Sequence, residues 1–196
     1  MGKEKYLRYL EALFEKSPVV SYASIERVVR SKGGGKDYTK QLVRNLVLKG
    51  KVKKLAKGVY TVSDERPLSV LCFQPAYLGL QDALSHHNLW EQETVPVIVT
   101  TRKVRQGIRK ILGGNVLIRR INRKYFFGIE YAMQDGVSLP YSGIEKTFID
   151  MVYFKERLSK ETMKEILQRI DKTRLISYLK QYPIKTRKVV LSYLAS

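Results

Sequence analysis

The hydrophobic pattern of the amino-terminal third predicts three helices. Residues 3–16 carry apolar side chains at helical spacing, and Ser21 follows as an N-cap for a second helix. The glycines at 33–35 end that second helix, and Asp37 is expected to cap a third. The inward stripe of the third helix comprises Leu42, Val43, Leu46 and Val47.

A short hairpin is predicted after the third helix. Gly50 closes the helix, and two strands follow at Lys51–Leu55 and Val59–Val62, joined by the turn Ala56-Lys57-Gly58. Three helices followed by a basic hairpin are typical of a winged helix-turn-helix, which binds DNA with one helix and a charged wing. We therefore predict such a domain for residues 1–63.

The pattern changes after a polar stretch at 63–67, which we interpret as a linker. Residues 67–196 are predicted to form a mixed α+β domain with a helical carboxy-terminal end. Its helices are expected at 78–89 and 143–154, and its strands at 95–101, 115–121 and 125–129. From Lys160 onward three more helices are expected, with breaks near Lys172 and at Pro183. The fold class is therefore α+β.

The net charge of the chain indicates which class of partner it attracts. Lys and Arg number 37 against 18 Asp and Glu, which gives a net charge of +19, while 44% hydrophobic residues suffice for a packed core. Such an excess attracts polyanions, of which DNA and RNA are the commonest. The alternative is a surface that is simply rich in lysine.

The outer face of the third helix and the hairpin supply the candidate DNA-binding residues. Arginine suits guanine, and glutamine or asparagine suits adenine, whereas lysine neutralises phosphates. The candidates are Lys36, Thr39, Lys40, Gln41, Arg44 and Asn45 on the helix and Lys53, Lys54 and Lys57 on the wing. Charged faces are often only solvated, and winged helices also serve as protein-interaction modules, so both alternatives stay open.

A second basic segment spans residues 102–124, with nine cations and no acid. Its members are Arg102, Lys103, Arg105, Arg109, Lys110, Arg119, Arg120, Arg123 and Lys124. The segment can extend a DNA footprint, meet RNA or an acidic partner, or remain merely solvated. Alternation along a strand would divide its side chains between two faces.

Few residues suggest catalysis or metal binding. The one cysteine, Cys72, lies in an apolar run and cannot form an internal disulfide framework. His86 and His87 would diverge by about 100° on a helix, and Glu145 and Asp150 are not at a same-face helical spacing. We therefore expect no enzymatic activity, no cofactor and no metal site.

The apolar runs are shorter than the roughly 20 residues that span a bilayer, and the first residues are charged rather than apolar. We expect a cytoplasmic protein without a membrane partner. The pair Gly113-Gly114 is expected to form a hairpin turn rather than a phosphate-binding loop.

Several motifs resemble those of the AbiEi-type antitoxins. The run from SYASIERVV through LVRNLVLKGKVKKLAKGVYTV is similar to their winged-helix domain, with Gly50, Gly58 and Tyr60 in the places of its glycines and G-x-Y strand. Three later runs resemble their second domain: AYLGLQDALSHHNLWEQ, VPVIVTTRK and FFGIEYAMQDGVSLPYSGIEKTFIDMVYF. The resemblance covers roughly residues 17–155 and departs from the family pattern at Asn88 and Phe148.

The resemblance implies an antitoxin of a type IV toxin–antitoxin system that acts in abortive infection, a form of phage defence. Such a protein represses its own promoter by binding inverted repeats in double-stranded DNA. Its second domain counteracts a nucleotidyltransferase-like toxin, typically without a stable complex. Three alternatives stay open: an RNA-binding or RNA-protecting module that uses residues 102–124, a stand-alone winged-helix regulator, and direct sequestration of the toxin.

Overall fold

The computed structural model describes residues 2–195, and the side chains from Tyr6 to Ala195. The chain is an α+β protein, which confirms the predicted class. It divides into two compact units. The first holds the residues up to Cys72 together with Lys110–Gly114, and the second holds Phe73–Arg109 and the residues from Asn115 onward.

The boundary between the units therefore differs from the predicted linker at 63–67. A 3-10 helix, Arg66–Cys72, follows that polar stretch at once and buries Leu68 and Val70. Because this 3-10 helix contacts the strand Lys53–Ala56, the first unit extends to Cys72.

The first unit contains three helices and a three-stranded antiparallel sheet. Its elements are α1 (Gly2–Lys16), β1 (Val19–Ser21), α2 (Tyr22–Ser31), α3 (Lys36–Leu48), β2 (Lys53–Ala56) and β3 (Val59–Thr61). The strand order is β1-β3-β2. The predicted helices and hairpin are confirmed, whereas β1 was not predicted, because three residues are too few to show alternation.

The two predicted N-caps have different outcomes. Ser21 caps α2, since its hydroxyl oxygen accepts from the backbone N–H of Ser24 at 3.1 Å. The cap predicted at Asp37 is wrong: Gly35 holds the N-cap position, which places Asp37 in the first turn of α3. A carboxylate there is still favoured by the positive end of the helix dipole.

The core of the first unit receives side chains from all three helices and from the residues around the hairpin. Its buried members are Leu10, Phe14, Val20, Ile25, Val29, Leu42, Val43, Leu46 and Val52. Gly34 is required where α2 meets the loop before α3, because a Cβ there would lie 2.4 Å from Cγ1 of Val29. The predicted inward stripe of α3 is confirmed, with Val47 only partly buried.

The second unit is built on a mixed sheet that α4 to α8 accompany. Its elements are β4 (Ala76–Leu78), α4 (Gln81–His86), β5 (Val97–Thr100), β6 (Gly107–Ile111), β7 (Gly114–Arg120), β8 (Ile129–Gln134), β9 (Val137–Ser142), α5 (Ile144–Tyr153), α6 (Lys160–Arg169), α7 (Lys172–Leu179) and α8 (Ile184–Ala195). The end of β6 and the start of β7, within Lys110–Gly114, are assigned to the first unit. The strand order is β6-β7-β5-β4-β9-β8. Strands β4–β5 and β8–β9 pair antiparallel, whereas β4–β9 and β5–β7 pair parallel.

Most of the predicted helices of this unit are confirmed. Helix α5 and the three carboxy-terminal helices lie where the pattern placed them. The helix predicted at 78–89 is shorter, because Leu78 ends β4 and the helix begins only at Gln81. No helix within residues 2–195 is long and apolar enough to cross a membrane.

The strands are confirmed only in part. The strands predicted at 95–101 and 115–121 correspond to β5 and β7, and Gly113, with φ of +74°, lies in the predicted turn before β7. The strand predicted at 125–129 is wrong, since Arg123–Tyr125 is a 3-10 helix and β8 begins only at Ile129. Strands β4, β6, β8 and β9 were not predicted.

Candidate nucleic-acid interface

Four of the candidate side chains on α3 are exposed. Lys36, Lys40, Gln41 and Arg44 face solvent, and Asn45 is half-buried. The amide of Gln41 donates to Oδ1 of Asn45 at 3.1 Å, and Nζ of Lys40 lies 3.3 Å from Oδ1 of Asp37. Exposed pairs of this kind contribute only about 0.2–0.5 kcal/mol, so a ligand can exchange them at small cost.

Thr39 does not belong to this exposed face. It is fully buried, and its hydroxyl donates to the carbonyl oxygen of Gly35 at 3.0 Å. The prediction that Thr39 lies on the outer face of the helix, among the candidate DNA-binding residues, is therefore wrong. Its spacing shows the reason: Thr39 precedes Leu42 by three residues and Val43 by four, which places it on the inward stripe.

The hairpin β2–β3 presents two exposed lysines, Lys54 and Lys57. Lys57 lies in the turn beside Gly58, whose φ of +72° favours glycine. The carbonyl oxygen of Gly58 accepts from the backbone N–H of Tyr22 at 2.7 Å. This bond ties the turn to the start of α2, so the hairpin that carries the two lysines is anchored at its turn.

Lys53 differs from the other two wing lysines. Its side chain is 31% exposed and forms an ion pair with the carboxylate of Asp64. The sequence placed Lys53 on the outside of the wing beside Lys54 and Lys57, whereas the structure shows it half-buried and paired with Asp64. A lysine that already has a carboxylate partner gains less from a phosphate.

The second basic segment is only partly exposed. Seven of its nine side chains face solvent, while Arg109 and Arg119 are half-buried. Lys110 belongs to the first unit and the other eight to the second. In β7 the neighbours Arg119 and Arg120 differ in exposure, as strand alternation predicts.

Arg119 is a correction to the prediction of an uncompensated basic segment. Its Nη2 lies 2.6 Å from Oε1 of Glu156, and its guanidinium lies 5.9 Å from the ring centroid of Phe154. The other carboxylate oxygen of Glu156 accepts from the amide of Gln81 at 3.1 Å. Arg119 therefore has a structural role on the sheet. Arg109 is also engaged, because it donates to the carbonyl oxygen of Arg105 at 2.8 Å.

A buried polar cluster, which the sequence analysis missed, joins α5 to β4 and to the residues before α8. Lys146 and Asp150, both on α5, are fully buried, and Nζ of Lys146 lies 2.5 Å from both carboxylate oxygens. The same Nζ donates to the hydroxyl oxygens of Tyr77 at 2.9 Å and Tyr182 at 2.7 Å. Those hydroxyls in turn donate to Asp150 at 2.5 and 2.6 Å.

Every polar atom of this cluster has partners. The ammonium has three donors and reaches three groups, while the carboxylate accepts from the ammonium and both phenols. Burial lowers the pKa of Lys146, and Asp150 opposes that change. Burial and the nearby Asp150 raise the pKa of Tyr77 and Tyr182, so both phenols stay protonated donors. Without exposure to solvent, the cluster is suited to holding the fold together.

One local signal could have revealed this cluster. Lys146 and Asp150 are four residues apart on a helix whose other faces are largely apolar, so the two charges share a face and need each other. The pair considered from the sequence, Glu145 and Asp150, is five residues apart and shares no face. The two tyrosines carry no such local signal, since they lie 69 and 36 residues from Lys146.

The adjacent histidines meet edge to face, with 5.2 Å between ring centroids, and each also has a partner of its own. His86 stacks on the ring of Tyr141 with 4.0 Å between centroids, and burial lowers its pKa. Nε2 of His87 lies 2.8 Å from the carbonyl oxygen of Ser142. Within residues 2–195 no group of three His, Cys, Asp or Glu side chains is placed to hold a metal ion.

Asp82 is a half-buried acid with a different environment. Its Oδ2 accepts from the backbone N–H of Val97 at 3.2 Å, which tethers α4 to β5. Burial raises the pKa of its carboxyl group to about 7, although the bond from Val97 acts in the opposite direction.

Comparison with known proteins identifies the fold. No family model and no curated protein matches the chain. The chain is similar to the crystal structure of the RV2827C protein from Mycobacterium tuberculosis, with a TM-score of 0.68 and 13% sequence identity. The match covers 97% of this chain and 76% of the mycobacterial one. At that identity the likeness concerns the fold alone: this chain shares an α+β architecture with the mycobacterial protein.

Proposed function

We propose that the first unit is a winged helix that binds double-stranded DNA through α3 and the hairpin β2–β3. The observation that carries this proposal is the exposed face of α3, where Lys36, Lys40, Gln41 and Arg44 stand opposite a buried apolar stripe. The order of elements and the sheet β1-β3-β2 support it, since a winged helix has this arrangement.

Each side chain has a distinct role in this proposal. Arg44, Gln41 and Asn45 read base edges in the major groove, because arginine pairs with guanine and amides pair with adenine. Lys36, Lys40, Lys54 and Lys57 neutralise phosphates and set the register on the duplex. Thr39 is left out because it is buried, and Lys53 contributes less because Asp64 already pairs with it.

The biological role that we propose is that of a type IV antitoxin and autorepressor, acting in the cytoplasm on its own promoter. The resemblance of both units to AbiEi-type antitoxins supports this role, and the net charge of +19 favours a nucleic-acid partner. In this proposal the protein binds inverted repeats and opposes a nucleotidyltransferase-like toxin. It has no catalytic activity of its own, and it forms no stable complex with the toxin.

A titration of the full chain against its own upstream DNA tests the proposal, with random DNA of equal length as the reference. At about 150 mM salt we expect a preference of about 10³-fold or more, the lower end for specific binders. Equal, steeply salt-dependent affinity for both duplexes would reduce the interaction to general attraction between a basic protein and a polyanion. That outcome would overturn the repressor.

A second candidate function is RNA binding by the basic segment of the second unit. The observation in its favour is the exposure of Arg120, Arg123 and Lys124 around the buried Ile121. Reversing these three charges tests it. Lost toxin neutralisation with intact promoter binding would favour RNA, whereas lost promoter binding alone would make the segment part of the DNA footprint.

A further inference from the structure

A groove of about 1140 Å³ lies in the second unit between α6 and α8. Its apolar lining comprises Val152, Tyr153, Leu158, Met163, Leu167, Val189 and Tyr193. Val189 is 43% exposed and Tyr193 is 37% exposed, although both side chains are apolar or aromatic. The groove therefore leaves uncovered a surface of the kind that interaction sites use.

The two walls are helix faces that run along the groove. On α6 the lining residues are Lys160, Met163, Lys164, Leu167 and Gln168, which follow helical spacing on one face. On α8 they are Lys185, Thr186, Val189 and Tyr193, which also follow helical spacing on one face. Helices of 10 and 12 residues make walls about 15 and 18 Å long. A space of that shape suits about three turns of another helix.

The rim of the groove is positively charged. Five cations line it: Lys155, Arg157, Lys160, Lys164 and Lys185. Among the described lining residues Glu156 is the one acid, and Arg119 engages it at 2.6 Å. An apolar floor between cations complements a ligand with an apolar stripe between carboxylates.

We propose that this groove binds an amphipathic helix of a partner protein, with apolar residues along one stripe and acidic residues on both sides of it. A second copy of this chain fits poorly, because its net charge of +19 opposes a basic rim. A flat membrane surface fits poorly too, because the apolar side chains line a groove of about 1140 Å³ rather than a plane. The proposal goes beyond DNA binding and does not depend on it.

A synthetic peptide provides a direct probe of the groove. The probe is a fluorescein-labelled helix of about 14 residues, with leucines at i, i+3, i+4 and i+7 and glutamates on the flanks. We expect saturable binding to the full chain with a Kd of about 1–50 μM at about 150 mM salt. Its matched control has the same composition in an order that scatters the leucines around the helix.

The control peptide separates the groove from general attraction. The scattered peptide has the same charge, so we expect it to bind at least about tenfold more weakly. Equal binding of the two peptides would mean that only the net charge of the protein matters, and it would overturn the proposal. Absence of binding at about 1 mM peptide, which leaves less than about 4 kcal/mol of affinity, would overturn it as well.

Two pairs of variants place the peptide in the groove. Val189→Asp inserts a charge into the floor, and its control is Leu191→Asp, on the same helix, 47% exposed and outside the lining. Lys164→Glu removes a rim cation, and its control is Lys188→Glu, an exposed lysine of α8 that is not part of the lining. We expect at least a tenfold loss of peptide affinity for each groove variant and less than twofold for each control.

The remaining outcomes are equally decisive. Equal losses in a groove variant and its control would overturn the proposal. If Val189→Asp fails to fold, the two exposed lysine variants decide alone. Binding to phosphatidylserine vesicles that Val189→Asp abolishes would assign the groove to lipid instead. A dimer in sedimentation that Val189→Asp dissociates would assign it to a second copy.

Discussion

Helices α3 and α5 use the same spacing of charges in opposite surroundings. Lys36, Lys40 and Arg44 recur every four residues on α3, and all three are exposed. Lys146 and Asp150 are also four residues apart on α5, but both are fully buried. On α3 each charge keeps its hydration and is available to a phosphate or a base. On α5 each charge has lost its hydration and must be compensated within the protein.

Charged residues at helical spacing therefore do not by themselves show whether a helix face is exposed or buried. The residues around the charges determine whether they stay in water: α3 has polar residues around its cations, whereas α5 is apolar on almost every side. A charge on a helix of the second kind indicates a partner elsewhere in the core.

The largest expected effect comes from removing the ammonium of the buried cluster. Lys146→Met leaves the carboxylate of Asp150 buried with only phenolic donors, and breaking a buried pair costs about 3–5 kcal/mol. Urea unfolding followed by the fluorescence of Trp90, which packs on the core of the second unit, measures the loss. Lys40→Met on α3 is the control, with an expected change below about 0.5 kcal/mol. A comparable loss for both would contradict the contrast between the helices.

A second substitution sharpens the same point. Lys146→Met combined with Asp150→Leu removes both charges, and we expect it to recover much of the lost stability, because apolar replacements of a buried pair are tolerated. If the double variant is no more stable than Lys146→Met alone, the two phenols and not the ion pair hold the cluster together.

Asp82 is a half-buried acid whose pKa is raised by burial, with only the backbone N–H of Val97 acting in the opposite direction. Its folded pKa of about 7 lies above the unfolded value, which is about 3.9. The protonated group therefore stabilises the fold fully below about pH 4, and this contribution is lost as the pH rises towards about 7. The Asp82→Asn side chain cannot ionise and so avoids this loss. We expect the substitution to raise the free energy of unfolding by about 2–3 kcal/mol at about pH 8, after allowance for partial exposure. Thermal melts of both proteins from about pH 4 to pH 8 should show a widening gap, and a constant gap would contradict the assignment.

On α3 the expected effect concerns DNA rather than stability. Arg44→Ala should cost about 1–3 kcal/mol of affinity for the promoter and relax the sequence preference. The control is Arg8→Ala on α1, which removes an equally exposed cation outside α3 and the hairpin. Anisotropy titrations with promoter and random DNA measure both. Equal losses on the two duplexes would remove Arg44 from the residues that read bases.

The smallest effect separates the wing lysines from each other. Lys57→Ala should weaken all duplexes alike and lower the slope of log K against log salt by about one. Lys53→Ala should change the slope less, because Asp64 already neutralises that ammonium. Identical slopes for the two variants would mean that the ion pair with Asp64 opens on DNA.

The elements that could be predicted are those whose signal is local. Helices α1, α3 and α5 repeat apolar residues over several turns, and Ser21 marks the start of α2 because its hydroxyl caps that helix. Strands such as β1, β4 and β8 are short or mixed in polarity, and they depend on neighbours distant in sequence. Their register is decided by pairing rather than by pattern.

The candidate site follows the same rule. Most of the exposed face of α3 was predictable, because its apolar stripe locates the opposite side, and the error at Thr39 came from not extending that stripe by one turn. The ion pair between Arg119 and Glu156, which removes Arg119 from the free cations, was not predictable because the two residues are 37 positions apart. The number of cations in a basic segment is therefore the largest number that its surface can present, and some of them are paired or buried in the folded chain.

The bond between Lys146 and Tyr182 also bears on how the chain is made. Tyr182 follows Lys146 by 36 residues and comes shortly before the last helix. During synthesis Lys146 leaves the ribosome before Tyr182, which supplies one of the three acceptors of its ammonium, has emerged. The buried cluster of the second unit is therefore complete only once Tyr182 has emerged, and until then the charges of Lys146 and Asp150 lack one of their partners.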